Sequence, residues 1–205
     1  MSERTFEAEL AGLVAEVEGG SAVELVVLLA PRSGTYPEAA LLGGVLGLYA
    51  VFAFVMFHDA VLGDYVIFTA PIVGLLAGAL AAGFFPPVRR LLSFRAAIER
   101  NVELVARATF QKAGLHATRD ATALLVYLSF EERRAYVVAD RGTLRALGQP
   151  ALDAIRDRYA AALRARHPRP AILEATRALK APLAAALPPR PDDINELPDM
   201  IDVAF

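Results

Sequence analysis

Ala39–Phe57, AALLGGVLGLYAVFAFVMF, runs for 19 residues without a charge, and Tyr65–Val88, YVIFTAPIVGLLAGALAAGFFPPV, runs for 24. A helix that crosses a hydrocarbon core of ~30 Å requires about 20 predominantly apolar residues, and both stretches meet that length. The competing assignment is a pair of core helices in a soluble protein. A chain of 205 residues has too little else to surround two such helices on every side. The sequence therefore predicts a transmembrane hairpin over 37–88, with spans at 39–57 and 65–88. Seven residues join them, His58 to Asp64, carrying Asp59 and Asp64 and no Arg or Lys. An Asp at the bilayer centre costs about 2.5–3.5 kcal/mol, so this segment belongs at the water interface as the hairpin tip. Gly74-Leu-Leu-Ala-Gly78 is a GxxxG, and with Gly43, Gly44 and Gly47 it offers small positions for close packing within the hairpin.

The flanks supply orientation. Arg89, Arg90, Arg95 and Arg100 follow the second span and Arg32 precedes the first, while the tip has no Arg or Lys. The positive-inside bias places both ends of the hairpin, and both termini, in the cytoplasm. The location expected is a bacterial inner membrane, crossed twice. Arg89, Arg90 and Arg95 are the topology-determining residues, with the lipid bilayer as their first partner. The N-terminus, MSERTFEAEL, has no apolar h-region and does not read as a secretory signal.

Composition agrees with a membrane segment joined to an ordinary domain. Hydrophobic residues make up 56% of the chain and mean hydropathy is +0.41, yet charged residues still make up 21%. Net charge is -2, so no global field recruits nucleic acid. There is no Cys, which excludes disulfides, thiolate metal sites and cysteine nucleophiles.

The remaining residues fall on both sides of the hairpin. Phe6, Leu10, Leu13, Val14 and Val17 repeat at helical spacing over 3–18. Ala22–Ala30 is a continuous, β-branched apolar run of the kind that forms a central parallel strand. After the hairpin come an amphipathic helix over 95–113, an apolar strand over 121–129, a charged turn at Phe130–Arg133 and a third strand over 134–140. Two further helices follow, one opening near Pro150 and one near Pro170, and an extended or disordered tail over 188–205. Neither part has enough core alone. Joined, residues 1–36 and 89–187 make one α/β domain, a βαβ unit with an antiparallel edge strand and helices on the sheet.

This order, with the local sequence at Ala22–Ala30, Phe110–Gly114, Thr118–Val126, Glu131–Arg134 and Val137–Gly142, resembles the TPM domain family. It is similar in particular to the bacterial branch in which a two-helix membrane hairpin splits the domain. The resemblance implies an αβα sandwich on a small mixed sheet. The family is functionally mixed, including thylakoid proteins linked to photosystem repair and acid phosphatase activity, a nematode receptor modulator and bacterial membrane proteins. Many members carry an acid followed by Asn-Gly before the second strand. Asp120 matches the acid, Ala121-Thr122 replaces Asn-Gly, and Gly142 matches a glycine of the turn leaving the third strand.

Ligands favour the carboxyl ends of parallel strands, so a site is expected where the strands end. Asp120, Asp140, Arg141 and Gly142 form the candidate edge, since the start of the second strand and the end of the third meet there. Two carboxylates with backbone oxygens suit Ca²⁺ or Mg²⁺, though two are too few for a dedicated cage. The plainer alternative has Asp120 capping a turn and Asp140 paired with Arg119 or Arg141. His58, His116 and His167 are isolated from one another, and no HExxH, GxSxG, Walker or GxGxxG pattern appears. The expected function is that of a non-enzymatic accessory or interaction module with a membrane-protein partner. The alternative is a divalent-cation-dependent phosphatase using Asp120 and Asp140.

Overall fold

The structure, a computed structural model, describes residues 2–59, 62–115 and 122–189. All seven residues of strand β2, Ala123–Ser129, are buried. A strand without an exposed residue requires cover on both faces and partners on both edges. Strand β1, Glu24–Ala30, lies parallel to it, with Leu25 opposite Leu124 and Leu28 opposite Tyr127. Strand β3, Arg134–Ala139, pairs antiparallel on the other edge, with Val137 opposite Val126. The sheet is mixed, in the order β1-β2-β3, and the protein is of the α/β class.

Because successive strand residues point to opposite faces, each strand contributes to two cores. Leu25 and Val27 of β1 share one core with Leu124, Val126 and Leu128 of β2. The helices over it are α1 (Glu3–Glu18), α7 (Gln149–Arg164), α8 (Pro168–Arg177) and α9 (Lys180–Ala186). On the opposite face Val26, Leu28, Leu125 and Tyr127 pack with Val102, Ala106 and Phe110 of α5, Arg95–Lys112. The first core holds one buried polar pair. Tyr159 Oη and Thr176 Oγ1 are 2.8 Å apart, and the Thr176 hydroxyl donates to the Ile172 carbonyl at 3.0 Å. With the threonine proton so used, the tyrosine is the donor of the pair. Burial pushes the Tyr159 phenol far above its ordinary range, opposed by the Thr176 hydrogen bond and the Arg158 charge.

The chain divides into two compact units, Met1–Ser33 with Glu99–Phe205, and Gly34–Ile98. The second unit contains α2 (Pro37–Phe57), α3 (Asp64–Phe84) and α4 (Pro86–Leu92). α2 and α3 have 21 residues each, long and apolar enough to cross a membrane. At 1.5 Å per residue that is about 32 Å. They pack through glycine. A Cβ at Gly47 would come 2.2 Å from the Gly74 carbonyl oxygen, and one at Gly78 would come 2.1 Å from that of Gly43. No side chain fits, so the backbones touch. The rest of their surface is open. In their most apolar windows only 17% of α2 and 11% of α3 is buried, and Leu41, Tyr49, Phe54, Phe68, Val73 and Leu80 are all exposed.

Three local expectations are revised. The turn expected around Arg141 and Gly142 is a helix, α6, Arg141–Leu147, and Gly148 (φ 75) separates it from α7. The single helix expected near Pro170 is two: the chain breaks at Ala178-Leu179, and α9 begins at Lys180, placing Pro182 in its first turn where a missing N–H is tolerated. The second apolar helix ends at Phe84, four residues before the expected limit, because Pro86-Pro87 fixes the first turn of α4 instead. The tail beyond Pro189 lies outside the described residues.

Candidate functional site

The two ends of the sheet differ in chemistry. Ala30 of β1 and Ser129 of β2 are register partners, so the carboxyl ends of the parallel pair lie side by side. Pairing runs on beyond both strands: Phe130 N–H donates to the Ala30 carbonyl at 3.0 Å and Glu131 N–H to that of Pro31 at 2.9 Å. The next residue, Glu132, is turned back into the protein. Arg133 takes a left-handed backbone (φ 51) to bring the chain round into β3, a conformation uncommon for a residue with a Cβ.

The Glu132 carboxylate ties the strand ends together. Its Oε1 accepts the Ser33 N–H at 2.9 Å, and its Oε2 accepts a short hydrogen bond from the Ser129 hydroxyl. Ser33 Oγ lies 3.0 Å from Tyr127 Oη. All four residues are buried, Ser33 being 7%, Glu132 5% and the other two 0% exposed. Burial raises the Tyr127 phenol above its ordinary range; the Ser33 hydrogen bond opposes that shift and the Glu132 charge adds to it. A serine hydroxyl beside a carboxylate invites comparison with a nucleophile and its base. Here that hydroxyl and carboxylate are enclosed and bonded to each other across a turn, an arrangement that fixes backbone. Nothing in the sequence reading singled out this cluster. The available signal was Ser129 at the end of an otherwise apolar strand, three residues before a carboxylate in a tight turn.

The candidate edge around Asp140 is at the opposite end of the sheet. Asp140 N–H donates to the carbonyl of Ala123 at 2.9 Å, and Ala123 in turn is the register partner of Glu24. This is the amino end of the parallel pair, away from the carboxyl ends where the ligand rule would look. Asp140 is the N-cap of α6: Oδ1 accepts from Arg141 N–H at 2.7 Å. Among the described residues its buried Oδ2 has no hydrogen-bond partner, and the same holds for Thr143 Oγ1 one turn on. Arg141 and Gly142 open α6. Asp120, with His116, belongs to residues 116–121, outside the described residues, so its convergence with Asp140 is not on view. Among the described residues no group of three or more His, Cys, Asp or Glu could hold a metal ion.

Arg89 and its neighbours are placed on and beside α4. Arg89 Nη1 donates to the Gly83 carbonyl at 2.5 Å, satisfying one of the last free carbonyls of α3, and Arg90 and Arg95 are exposed. No family model matches this chain, and no curated protein does. Among solved structures, the NMR structure of BA42 protein from the psychrophilic bacteria Bizionia argentinensis sp. nov. is similar in fold. It aligns at a TM-score of 0.55 and 13% sequence identity, over 95% of this chain and 90% of that one.

Proposed function

We propose that this protein is a membrane-anchored accessory module, a TPM-like α/β domain held at the cytoplasmic face of a bacterial inner membrane, where it binds another membrane protein. The observation that carries the reading is the exposure of α2 and α3. Helices buried over 17% and 11% of their apolar windows are not behaving as core helices. Lipid is the solvent that makes such a surface favourable, and the glycine contacts account for how two helices associate there without a hydrophobic driving force. The arginines after α3 and the acidic tip without Arg or Lys support an orientation with both flanks on the cytoplasmic side. A non-catalytic role is supported by the carboxyl ends of the parallel strands, where the polar groups are consumed in holding the strands.

Membrane pellets washed with alkaline carbonate test the anchor, and recovery of the full-length protein as a soluble monomer without detergent would end the reading. The chain has no Cys, so Arg90→Cys is a unique label site. A membrane-impermeant maleimide added to intact cells should leave it unmodified. Affinity purification in mild detergent with mass spectrometry should return a reproducible membrane-protein partner.

One observation favours a second reading, a divalent-cation-dependent phosphatase at Asp120 and Asp140. Asp140 Oδ2 is a buried carboxylate oxygen with no hydrogen-bond partner among the described residues. Phosphate release that requires Mg²⁺ or Ca²⁺ and disappears in Asp140→Asn would favour the enzyme over the accessory role.

A further inference from the structure

We propose that α4, the turn after it and the first residue of α5 form an interfacial segment that binds anionic phospholipid headgroups through Arg90 and Arg95. The proposal rests on the membrane reading above and names the lipid chemistry the anchor would select. Pro86–Ile98 carries Arg89, Arg90 and Arg95 and no acid, and no Asp or Glu occurs between Tyr65 and Ile98. The segment therefore has three formal positive charges and nothing within it to neutralise them. Arg89 is committed to the end of α3 through the Gly83 carbonyl, which leaves Arg90 and Arg95 as the exposed cations.

The apolar residues of the same segment are divided between two environments. Leu92 packs with Tyr36, Ala39 and Ile98, and this small cluster holds α4 against the start of α2. Phe85, Leu91 and Phe94 are left 61%, 83% and 61% exposed. A short helix with bulky apolar groups and arginines both facing outward has the make-up of a segment lying in a headgroup layer. Rings and leucines enter the acyl boundary while guanidiniums meet phosphates. The break at Phe85 supports that placement: α3 stops there and the chain restarts as α4. An arginine presents several donors in a fixed fork, which suits a phosphodiester carrying net negative charge and gives less with a zwitterionic headgroup, whose own ammonium offsets the phosphate. Each arginine near an anionic surface is worth about fivefold in partitioning at modest salt.

The test is extraction of full-length protein with its lipid annulus from membranes of equal phosphatidylglycerol and phosphatidylcholine content, followed by quantification of bound lipid. Wild type should enrich phosphatidylglycerol several-fold, and Arg90→Gln with Arg95→Gln should abolish the enrichment while remaining carbonate-resistant. Equal recovery of the two lipids by wild type, or enrichment unchanged in the double variant, overturns the proposal. So does loss of the enrichment on adding millimolar inorganic phosphate, which would mark a site for the free anion. A protein that fails the carbonate wash removes the anchor itself, and the lipid preference with it. Arg90→Lys with Arg95→Lys keeps the charge and should retain most of the preference.

Discussion

β2 and α2 draw on the same kinds of residue and end in opposite surroundings. Every residue of β2 is buried between helices, while α2, with three times as many residues, buries Ala39, Gly43, Gly44 and Val55 and exposes most of its large side chains. The difference lies in where the small residues stand. β2 has branched and aromatic groups on both faces, so helices must cover both. α2 and α3 have glycine where they meet and bulky groups everywhere else, an inside-out arrangement suited to an apolar solvent. Apolar content alone does not distinguish a core from a span; its distribution round the element does.

The strongest way to break this contrast is to make one truncation in both places. Leu125→Ala, at 0% exposure, should cost about 2–5 kcal/mol through lost contacts and a residual cavity. Leu41→Ala, at 70% exposure, should change unfolding in detergent by less than about 0.5 kcal/mol. Denaturant titrations of both variants measure the difference, and comparable losses would mean that Leu41 is covered in the native protein.

Next in size is the clamp at the strand ends. Glu132→Ala strands the Ser33 N–H and the Ser129 hydroxyl without their acceptor, at about 1–3 kcal/mol for each buried group left unpaired. Glu132→Gln keeps one acceptor oxygen and should recover about half of the loss by the same count. Full stability in Glu132→Ala would show that the two strand ends are held by backbone pairing alone.

The hairpin has its own internal control. Gly78→Ala places a methyl 2.1 Å from the Gly43 carbonyl oxygen and should cost about 1–3 kcal/mol of hairpin stability. At Gly83 a Cβ meets nothing within 4 Å, so Gly83→Ala should be neutral or stabilise α3 by up to about 1 kcal/mol. Thermal unfolding in the same detergent separates the pair. Equal effects would mean that helix propensity, and not backbone contact, governs both sites.

The sheet was legible because its signals are local and strong: runs of apolar, β-branched residues, a short charged turn, and helical stripes such as Phe6–Val17 and Leu152–Leu163. Their pairing followed from connectivity. What escaped depended on contacts between distant residues. Glu132 reads as one more acid in a solvated turn, and only the return of the chain beside Ser33, 99 residues away, makes it a buried ligand of backbone. α6 escaped for a different reason: seven residues containing Gly142 give too short a period to register, and Asp140 looks the same as a helix cap or as a site carboxylate. The acids that mark the Asp140 edge lie at the amino end of the parallel pair, whereas ligands favour the carboxyl ends, at the other end of this sheet.

The smallest effect expected is also the one that probes the α/β core without cutting a cavity. Tyr159 is fully buried, and its phenol in the folded protein titrates well above the ordinary value of 10.0. Between those values the folded state keeps a proton that the unfolded chain has released, so stability falls as pH rises. This contribution is fully present below pH ~10 and is lost above it, at up to about 1.4 kcal/mol per pH unit for one group. Tyr159→Phe removes that slope. Its cost at neutral pH should be about 0.5–1.5 kcal/mol, since Thr176 still donates to the Ile172 carbonyl and no buried group is orphaned. Tyr127, raised for the same reason, remains and leaves a shallower decline. The hairpin has no buried phenol to match, since Tyr49 and Tyr65 are exposed at 65% and 80%. An alkaline limb as steep in Tyr159→Phe as in wild type would show that the phenol at position 159 is not enclosed in the folded α/β core.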